Sequence, residues 1–297
     1  MEDKKRLIII DSNALLHRAF HALPPLTTKT GQPTGAVYGY LLILFKAIKD
    51  LNANYIVACF DTKAPTFRHE RFEEYKAHRP ATPDGIISQI PLAKKVLEKF
   101  KIPVFAKEGF EADDLIATIC TKVISNEDTE VYILSGDLDN LQLVNDRTKV
   151  YTMGKGIKDS VLYDRERVLQ RFGVEPKQMN DFKALTGDAS DNVPGVPGIG
   201  GKTATEIIQK YGSIENLYSE LATDTAVLKP KVKEALKLNK EKALLSKELV
   251  ETIKDVDIDF KIEDCEFKTF DIKEVENLFR ELEFNTLISR VETLINN

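Results

Sequence analysis

The sequence predicts an α/β fold in which a mostly parallel central sheet is flanked by helices, followed by a helical C-terminal domain. In the first half, short apolar runs rich in β-branched residues alternate with longer amphipathic segments. Nearly continuous apolar runs are typical of buried parallel strands, and this alternation favours a sheet covered on both faces. After about residue 160 the strand pattern fades and helical periodicity dominates.

The individual elements follow in chain order. The predicted strands are "RLIII" (6–10), "YIVACF" (55–60) and "VYIL" (131–134). The helices between them are "TGAVYGYLLILFKAIKDL" (34–51) and "ADDLIATICTKVIS" (112–125). Further helical segments are predicted at 161–173, 176–187, 202–221 and 229–251, with an amphipathic helix or helix pair at 272–295. We therefore predict an α/β domain over residues 1–175 and a helical domain over residues 176–297.

The bulk composition is that of an ordinary globular protein. The 297 residues are 42% hydrophobic and 30% charged, which argues against disorder. A net charge of −5 does not by itself indicate a nucleic-acid binder. The N-terminal apolar run is too short for a signal peptide, and no apolar stretch approaches the roughly 18 residues of a membrane helix. Three cysteines in apolar contexts indicate reduced thiols, so we expect a cytoplasmic protein. We also expect a monomer with no membrane association.

Acidic residues follow each predicted strand of the sheet. Asp11 and Asp61 end the first two strands, and Asp137 and Asp139 follow the third after a Ser-Gly turn. Ligand sites in open α/β sheets lie beyond the carboxyl ends of the strands, so these side chains should meet in one crevice. Two more motifs add carboxylates, namely "FEADD" with Glu111, Asp113 and Asp114, and "TGDASDN" with Asp188 and Asp191. Helix capping and solvated turns are the alternative interpretation of each motif taken alone.

Nine carboxylates in one crevice require cations to neutralise them. Histidine and cysteine are missing from these motifs, which leaves hard oxygen ligands suited to Mg²⁺ or Mn²⁺. Two such ions ~4 Å apart are the usual apparatus for hydrolysing a phosphodiester bond. The sequence therefore predicts a two-metal hydrolytic site.

Basic and aromatic residues are interleaved at 62–80. Lys63, Arg68, Arg71, Lys76 and Arg79 alternate there with three aromatic rings, Phe67, Phe72 and Tyr75. Positive charge beside aromatic rings suits a single-stranded nucleic-acid end. A solvated surface helix is the alternative, because glutamates intervene.

A glycine-rich hairpin opens a helix at "GVPGIGGKTATEII" (195–208). Turns of this kind expose backbone N–H groups that suit phosphate. The spacing does not match a Walker loop, because Gly201 stands where lysine would follow Gly200. A helix-hairpin-helix contact to a duplex backbone, over about 190–210, fits better and is independent of base sequence.

Together these motifs resemble the 5′ nuclease (flap endonuclease) family, in the form found at the N-terminus of bacterial DNA polymerase I. The resemblance rests on "DSNALLHRAFHALPPL", "CFDTKAPTFRHERFEEYKAHRP", "FEADDLIAT", "GDLDNLQLV" and "LTGDASDNVPGVPGIGGKTA", which occur in family order along essentially the whole chain. It implies a Mg²⁺-dependent 5′→3′ exonuclease and 5′-flap endonuclease of replication and repair. Such an enzyme would act on flaps, nicked or branched duplexes and RNA primers, and would leave 5′-phosphates.

The resemblance also implies roles for individual residues. The first metal cluster would be Asp11, Asp61, Glu111, Asp113 and Asp114, and the second Asp137, Asp139, Asp188 and Asp191. Lys76 and Arg79 would reach the scissile phosphate, within a helical arch at about 76–101. The remaining DNA contacts would be Arg18, Arg68, Arg71, Tyr75, Gly198, Gly200, Lys202 and Thr203, with K⁺ possible in the hairpin.

Two positions depart from the family pattern. Ser12 stands where the family commonly has glycine, and Leu138 stands where it commonly has lysine. Neither change removes a ligand. Two alternative functions stay open, namely a catalytically silent module that binds branched DNA and a PIN-like ribonuclease. The chain could stand alone or form part of a longer DNA polymerase I.

Overall fold

The first domain is built on one twisted sheet. The computed structural model describes residues 4–124, 128–154, 156, 159–267 and 270–295. Within them, the strands are β1 (Lys5–Asp11), β2 (Tyr55–Cys59), β3 (Val104–Phe105), β4 (Thr129–Leu134), β5 (Thr148–Met153) and β6 (Ser160–Tyr163). Their order in the sheet is β3-β2-β1-β4-β5-β6. The first five run parallel and β6 is antiparallel to β5, so the predicted mostly parallel sheet is confirmed.

Helices cover both faces of this sheet. In β1, Leu7 and Ile9 belong to one apolar cluster, whereas Ile8 and Ile10 belong to the other. Alternation along a strand therefore buries both faces, as expected for a central parallel strand. One face is covered by α1 (Ser12–Ala22), α2 (Gly35–Leu51) and α5 (Ile90–Lys99), and the other by α6 (Ala112–Ile124). Ser125, at the predicted end of α6, lies outside the described residues.

The second part of the chain is helical, as predicted. It contains α7 (Arg165–Phe172), α8 (Met179–Thr186), α9 (Gly201–Tyr211), α10 (Ile214–Ala222), α11 (Pro230–Leu238) and α12 (Lys240–Val250). Its buried residues join the same apolar cluster as α6, so the two parts share a continuous core. Among the described residues, no helix is both long and apolar enough to cross a membrane.

The last two helices return to the first domain. These are α13 (Ile272–Glu281) and α14 (Asn285–Ile295). Phe279 packs against Phe45 of α2 and Phe100 at the end of α5, with ring centroids 6.4 and 6.1 Å apart. The predicted helical domain therefore ends before residue 272 rather than at 297. The sequence predicts the amphipathic faces of these helices but not the surface that they cover.

The predicted arch at 76–101 is shorter in the structure. Two short helices, α3 (Phe67–Arg71) and α4 (Asp84–Ile87), flank an irregular segment at 72–83. The rest of the predicted arch is α5, whose Leu92, Val96 and Leu97 are buried in the core beneath α13. An arch that stays free to cover the site is thus confined to residues before α5.

Candidate metal centre

The ends of β1 and β2 place the first two aspartates. Asp11 is buried and caps α1, because its Oδ1 accepts the Ala14 N–H at 3.1 Å. Its Oδ2 accepts the Ser135 hydroxyl at 2.7 Å. Asp61, which is exposed, accepts the Ala112 N–H at 2.8 Å and so ties the end of β2 to the start of α6. Parallel strands thus bring both carboxylates to one edge, as the sequence predicts.

The start of α6 faces the turn after β4. Asp113, in the first turn of α6, accepts a hydrogen bond from Asn140 Nδ2 at 2.8 Å. Asp137 and Asp139 lie in that turn, where the Asp139 N–H donates to Asp137 Oδ1 at 3.1 Å. Asp188 and Asp191 come from the loop after α8. One cavity is lined by five of these acids, namely Glu111, Asp113, Asp139, Asp188 and Asp191.

Burial makes Asp11 and Asp113 hard to ionise. Burial raises the pKa of Asp11 to about 7, against the opposing hydrogen bond from Ser135 and with a further upward contribution from Asp61. Burial, together with the charges of Asp11, Asp137 and Asp139, raises the pKa of Asp113 well above its usual range. The neutral, protonated forms of these two carboxyl groups are therefore favoured unless a further cation offsets their charge.

Lys183 neutralises two of the acids from opposite sides of the cavity. Its ammonium group donates to Asp139 Oδ1 and, at 2.9 Å, to Asp188 Oδ2. Although burial alone would raise it, the pKa of Asp188 is lowered to about 2 by Lys183 and by the Ser190 hydroxyl and N–H. Burial raises the pKa of Asp139 to about 6 in spite of Lys183. We did not predict Lys183 from the sequence, although its position five residues before Asp188 on a helix is a usable signal.

Lys76 and Arg79 pair with two other acids that line the cavity. Lys76 Nζ is 2.7 Å from Glu111 Oε1 and 3.7 Å from Asp191 Oδ2. Arg79 donates to Asp191 Oδ1 and, at 3.0 Å, to the Ser190 carbonyl. The predicted basic pair is therefore at the acidic site, where it is bonded to the carboxylates.

The donor set fits a hard divalent cation by its chemistry. In the part of the chain that the structure describes, no three acidic, histidine or cysteine side chains are grouped so that they could hold a metal ion as they stand. Ammonium and guanidinium groups lie between the carboxylates instead. Nevertheless, Mg²⁺ or Mn²⁺ would favour the ionised form of carboxyl groups whose pKa values are raised, and oxygen atoms are the ligands that these ions prefer. The prediction that all nine acids act as ligands needs correction at one position.

Asp114 is a structural carboxylate rather than a ligand. It is 0% exposed, and both of its oxygens are occupied. Oδ1 accepts from Arg68 Nη2 and the Ile253 N–H, each at 2.8 Å. Oδ2 accepts from Arg68 Nη1 at 2.8 Å and from the Glu111 N–H at 3.0 Å. The predicted DNA contact of Arg68 is wrong for the same reason, because its guanidinium is buried in this ion pair.

The structure places the other predicted DNA contacts in different surroundings. Tyr75 is buried, and its hydroxyl donates to Glu111 at 3.2 Å and to Asp191 at 3.1 Å, so its ring has no exposed face for stacking here. Arg71 is exposed and pairs with Glu248. Arg18 donates to the carbonyls of Met153, Gly154 and Gly156.

The glycine hairpin is exposed beside the start of α9. Gly198 has φ +86°, and a side chain there would meet no atom within 4 Å. Gly200 is the N-cap of α9, and Lys202 and Thr203 follow in its first turn. Gly198, Gly200 and Lys202 are exposed, whereas Thr203 is half-buried. The predicted phosphate contacts therefore lie together on one surface.

Family models and relatives match nearly the whole chain. Residues 6–173 match the 5′-3′ exonuclease N-terminal resolvase-like domain, and residues 174–273 match the 5′-3′ exonuclease C-terminal SAM fold. DNA polymerase I of Bacillus subtilis is 39% identical over 98% of this chain, but the chain spans only 33% of that polymerase. The 5′-3′ exonuclease of Aquifex aeolicus is 39% identical over 98% of this chain and 96% of its own length.

Solved structures share the fold. T5 5′-exonuclease with bound zinc superposes with a TM-score of 0.67 at 24% identity, over 84% of this chain and 90% of that one. A bacteriophage T5 flap endonuclease complex with DNA and metal ions gives 0.68 at 20% identity, over 99% and 100%. At these identities the likeness concerns the fold alone. Because its family models and a full-length relative agree, the chain belongs to the 5′-3′ exonuclease family.

Proposed function

We propose that the chain is a divalent-metal-dependent 5′→3′ exonuclease and structure-specific 5′-flap endonuclease. It would hydrolyse phosphodiester bonds in DNA and in RNA primers during replication and repair, leaving 5′-phosphates. The observation that carries this proposal is the convergence of two acidic groups, from α6 and from the loop after α8, on one cavity with a basic segment docked against it.

The carboxylates divide into two groups that would hold Mg²⁺ or Mn²⁺. Asp11, Asp61, Glu111 and Asp113 would form the first, and Asp137, Asp139, Asp188 and Asp191 the second. When bound, two divalent ions supply an activated water and stabilise the leaving oxygen. T5 5′-exonuclease binds zinc and a T5 flap endonuclease binds DNA and metal ions, which supports the same chemistry here.

The basic pair would act on the reacting phosphate. In the structure, Lys76 and Arg79 donate to Glu111 and Asp191. If other cations neutralised those carboxylates, the ammonium and guanidinium groups would be free to contact phosphate oxygens. There they would stabilise the negative charge that develops in the transition state.

DNA duplex would bind on the helical domain. The exposed hairpin offers backbone N–H groups at Gly198 and Gly200, with Lys202 beside them. Such contacts fix the register of a duplex without reading its bases. We propose that K⁺ can bind in this hairpin, and that the chain acts as a monomer or as part of a longer polymerase.

A 5′-flap duplex with a labelled 5′ end tests the proposal. We expect cleavage near the junction with Mg²⁺ or Mn²⁺ and none with a chelator. Asp113→Ala and Asp139→Ala should lower the rate by orders of magnitude and leave flap binding intact, whereas Lys76→Ala should lower kcat more than it raises KM. Flap binding without cleavage in either ion would favour a silent binding module. Cleavage of single-stranded RNA but not of the flap would favour a PIN-like ribonuclease.

A further inference from the structure

Arg68 connects two parts of the chain that are far apart in sequence. It lies on α3 and is 2% exposed. Its Nη1 and Nη2 donate to the two oxygens of Asp114 on α6, each at 2.8 Å. Its Nε and Nη2 also donate to the carbonyls of Leu249 and Glu251, each at 2.8 Å. One guanidinium therefore holds the start of α6 and the chain that leaves α12.

The segment 249–256, which we call the strap, is a wall of the acidic cavity. Leu249, Val250 and Thr252 of the strap line that cavity. The strap carries the chain out of α12, and α12 packs against α8, the helix that bears Lys183 and leads into the loop of Asp188 and Asp191. Its position therefore relates the helical domain to the acids of the first domain.

Hydrogen bonds tie the strap to both acidic groups. Asp114 accepts the Ile253 N–H from the strap at 2.8 Å and the Glu111 N–H from the acidic motif at 3.0 Å. Gln142 Nε2 donates to the Val250 carbonyl at 3.0 Å and to the Asp139 carbonyl at 3.1 Å. The backbones of Glu111 and Asp139 are thus both linked to the strap, each through one side chain that bonds to both.

Two simpler roles do not account for this arrangement. A direct DNA contact is excluded, because Arg68 is buried and its donors are engaged. A role in stability alone is a poor explanation, because a buried ion pair often stabilises no more than apolar residues of the same volume. What the fork of arginine provides, and apolar packing does not, is a fixed geometry among several partners.

We propose that Arg68 is a positioning residue, which through Asp114 and the strap fixes Glu111 relative to the second acidic group. This inference rests on the proposed nuclease function and deepens it. Arg68 touches no reacting atom. Its Nη1 lies 3.7 Å from Oε2 of Glu111, which is a candidate metal ligand.

The variant Arg68→Lys tests this role. Lysine keeps the charge but has no planar fork, so it cannot hold both Asp114 oxygens and both carbonyls. We expect a folded protein in which kcat on the flap falls, and the divalent-ion concentration for half-maximal rate rises, each by about 10–100-fold. KM for the DNA should hardly change. The matched control is Arg165→Lys, which makes the same change in an exposed ion pair with Glu175 and should behave as the wild type.

Hydrogen exchange gives a readout that is independent of cleavage. In Arg68→Lys, the amides of Glu111 and Ile253 should both exchange faster, whereas those of the β1–β4 ladder should not change. Asp114→Asn removes one acceptor for the same amides and serves if Arg68→Lys does not fold. Unchanged kcat and metal dependence per folded molecule, with only a lower Tm, would overturn the positioning role.

The two proposals can fail separately. If the wild type does not cleave a flap, the nuclease function fails, but binding of Mg²⁺ or Mn²⁺ by calorimetry still tests the positioning role. Weaker ion binding in Arg68→Lys than in Arg165→Lys would support it. Equal binding and equal exchange at the two amides would overturn it.

Discussion

Lys183 shows how a single cation can occupy the place between two carboxylates. It bridges Asp139 and Asp188, which belong to different elements and would repel each other without it. The pKa of Lys183 is raised in spite of its burial, because these two acids stabilise its charge. This ammonium group therefore offsets the negative charge of both carboxylates.

Replacing Lys183 should make the protein depend more strongly on divalent ions. Lys183→Met leaves two half-buried acids without this cation, so we expect a lower Tm in chelator and a larger rise of Tm on adding Mg²⁺ than in the wild type. Lys247→Met is the matched control, because Lys247 bridges Asp181 and Glu215, each at 2.7 Å, away from the cavity. Thermal unfolding with and without Mg²⁺ measures both. Equal Mg²⁺ responses in the two variants would contradict the role of Lys183.

The raised pKa values of the acids should also make the stability of the protein in chelator depend on pH. The folded pKa is about 7 for Asp11 and about 6 for Asp139, against an ordinary value of 3.8. The folded protein thus holds these protons more tightly than the unfolded chain, and the resulting stability is lost as pH rises from about 4 to about 7. The pKa of Asp188 is lowered, so Asp188 changes the stability only at pH values below that window.

Thermal unfolding in chelator between about pH 5 and pH 8 measures this loss. Asp11→Asn cannot ionise at that position, so its Tm should fall less across the range than that of the wild type. An equal fall in both proteins would show that Asp11 is already ionised in the folded state.

At single positions the sequence predicts residue types better than their surroundings. Five of the nine predicted acids line one cavity, and the family is confirmed. Asp114 could not be told apart from Asp113, because only the fold shows that the two neighbours on α6 point to different partners. Asp113 lies at the cavity and accepts a hydrogen bond from Asn140. Asp114 instead accepts hydrogen bonds from Arg68 and from the strap.

Among the elements, the loop between α8 and α9 depends most on glycine. Gly187 and Gly195 have φ +70° and +60°, and a side chain on Gly195 would overlap the backbone of Gly187. Between these two glycines, Asp188 and Val193 exchange two backbone hydrogen bonds. The Asp188 N–H donates to the Val193 carbonyl at 3.0 Å, and the Val193 N–H donates to the Asp188 carbonyl at 2.8 Å. This close approach shapes the loop that carries Asp188 and Asp191.

Alanine at Gly195 should therefore damage both stability and the site. Gly195→Ala adds a backbone clash to the cost of a left-handed conformation, so we expect a loss of more than about 2 kcal/mol and weaker metal binding. Gly198→Ala is the control, because Gly198 has φ +86° but open space around it. It should cost about 1–2 kcal/mol and leave metal binding unchanged. Denaturant unfolding and ion titration measure the two effects, and equal losses would contradict the clash.

Hydrophobic periodicity predicts which helices and strands form but not which elements pack against them. The strands β1, β2 and β4 were predicted, whereas β3, β5 and β6 were not, because they are short or mix polar residues with apolar ones. The lysine-rich α5 was expected to be part of an arch. Its apolar stripe instead packs on the sheet, which is a tertiary contact that no local pattern specifies.

At the scale of the whole molecule, the ends of the chain belong together. Val275, Leu278, Phe279, Leu287 and Val291 of α13 and α14 share one core with α2 and α5. The helical domain between them is thus inserted into the first domain. The strap and the shared apolar cluster connect the two.

Deleting α13 and α14 should prevent the first domain from folding stably. Each of the five buried side chains contributes about 1.5–3 kcal/mol, and their sum is comparable to the whole stability of a typical domain. We expect a chain that ends at residue 270 to aggregate or to lack a cooperative transition by calorimetry. A control that ends at Leu294 retains these five residues and should unfold as the full chain does.

The position of these two helices also governs how the protein forms on the ribosome. The nascent sheet and its first helices are complete long before residue 272 is added, yet the apolar surface that α13 and α14 bury on α2 and α5 has no cover until then. At about 5–20 residues per second, that surface stays bare for on the order of 5–20 s. Efficient production in cells should therefore require a chaperone that shields the emerging chain during this interval.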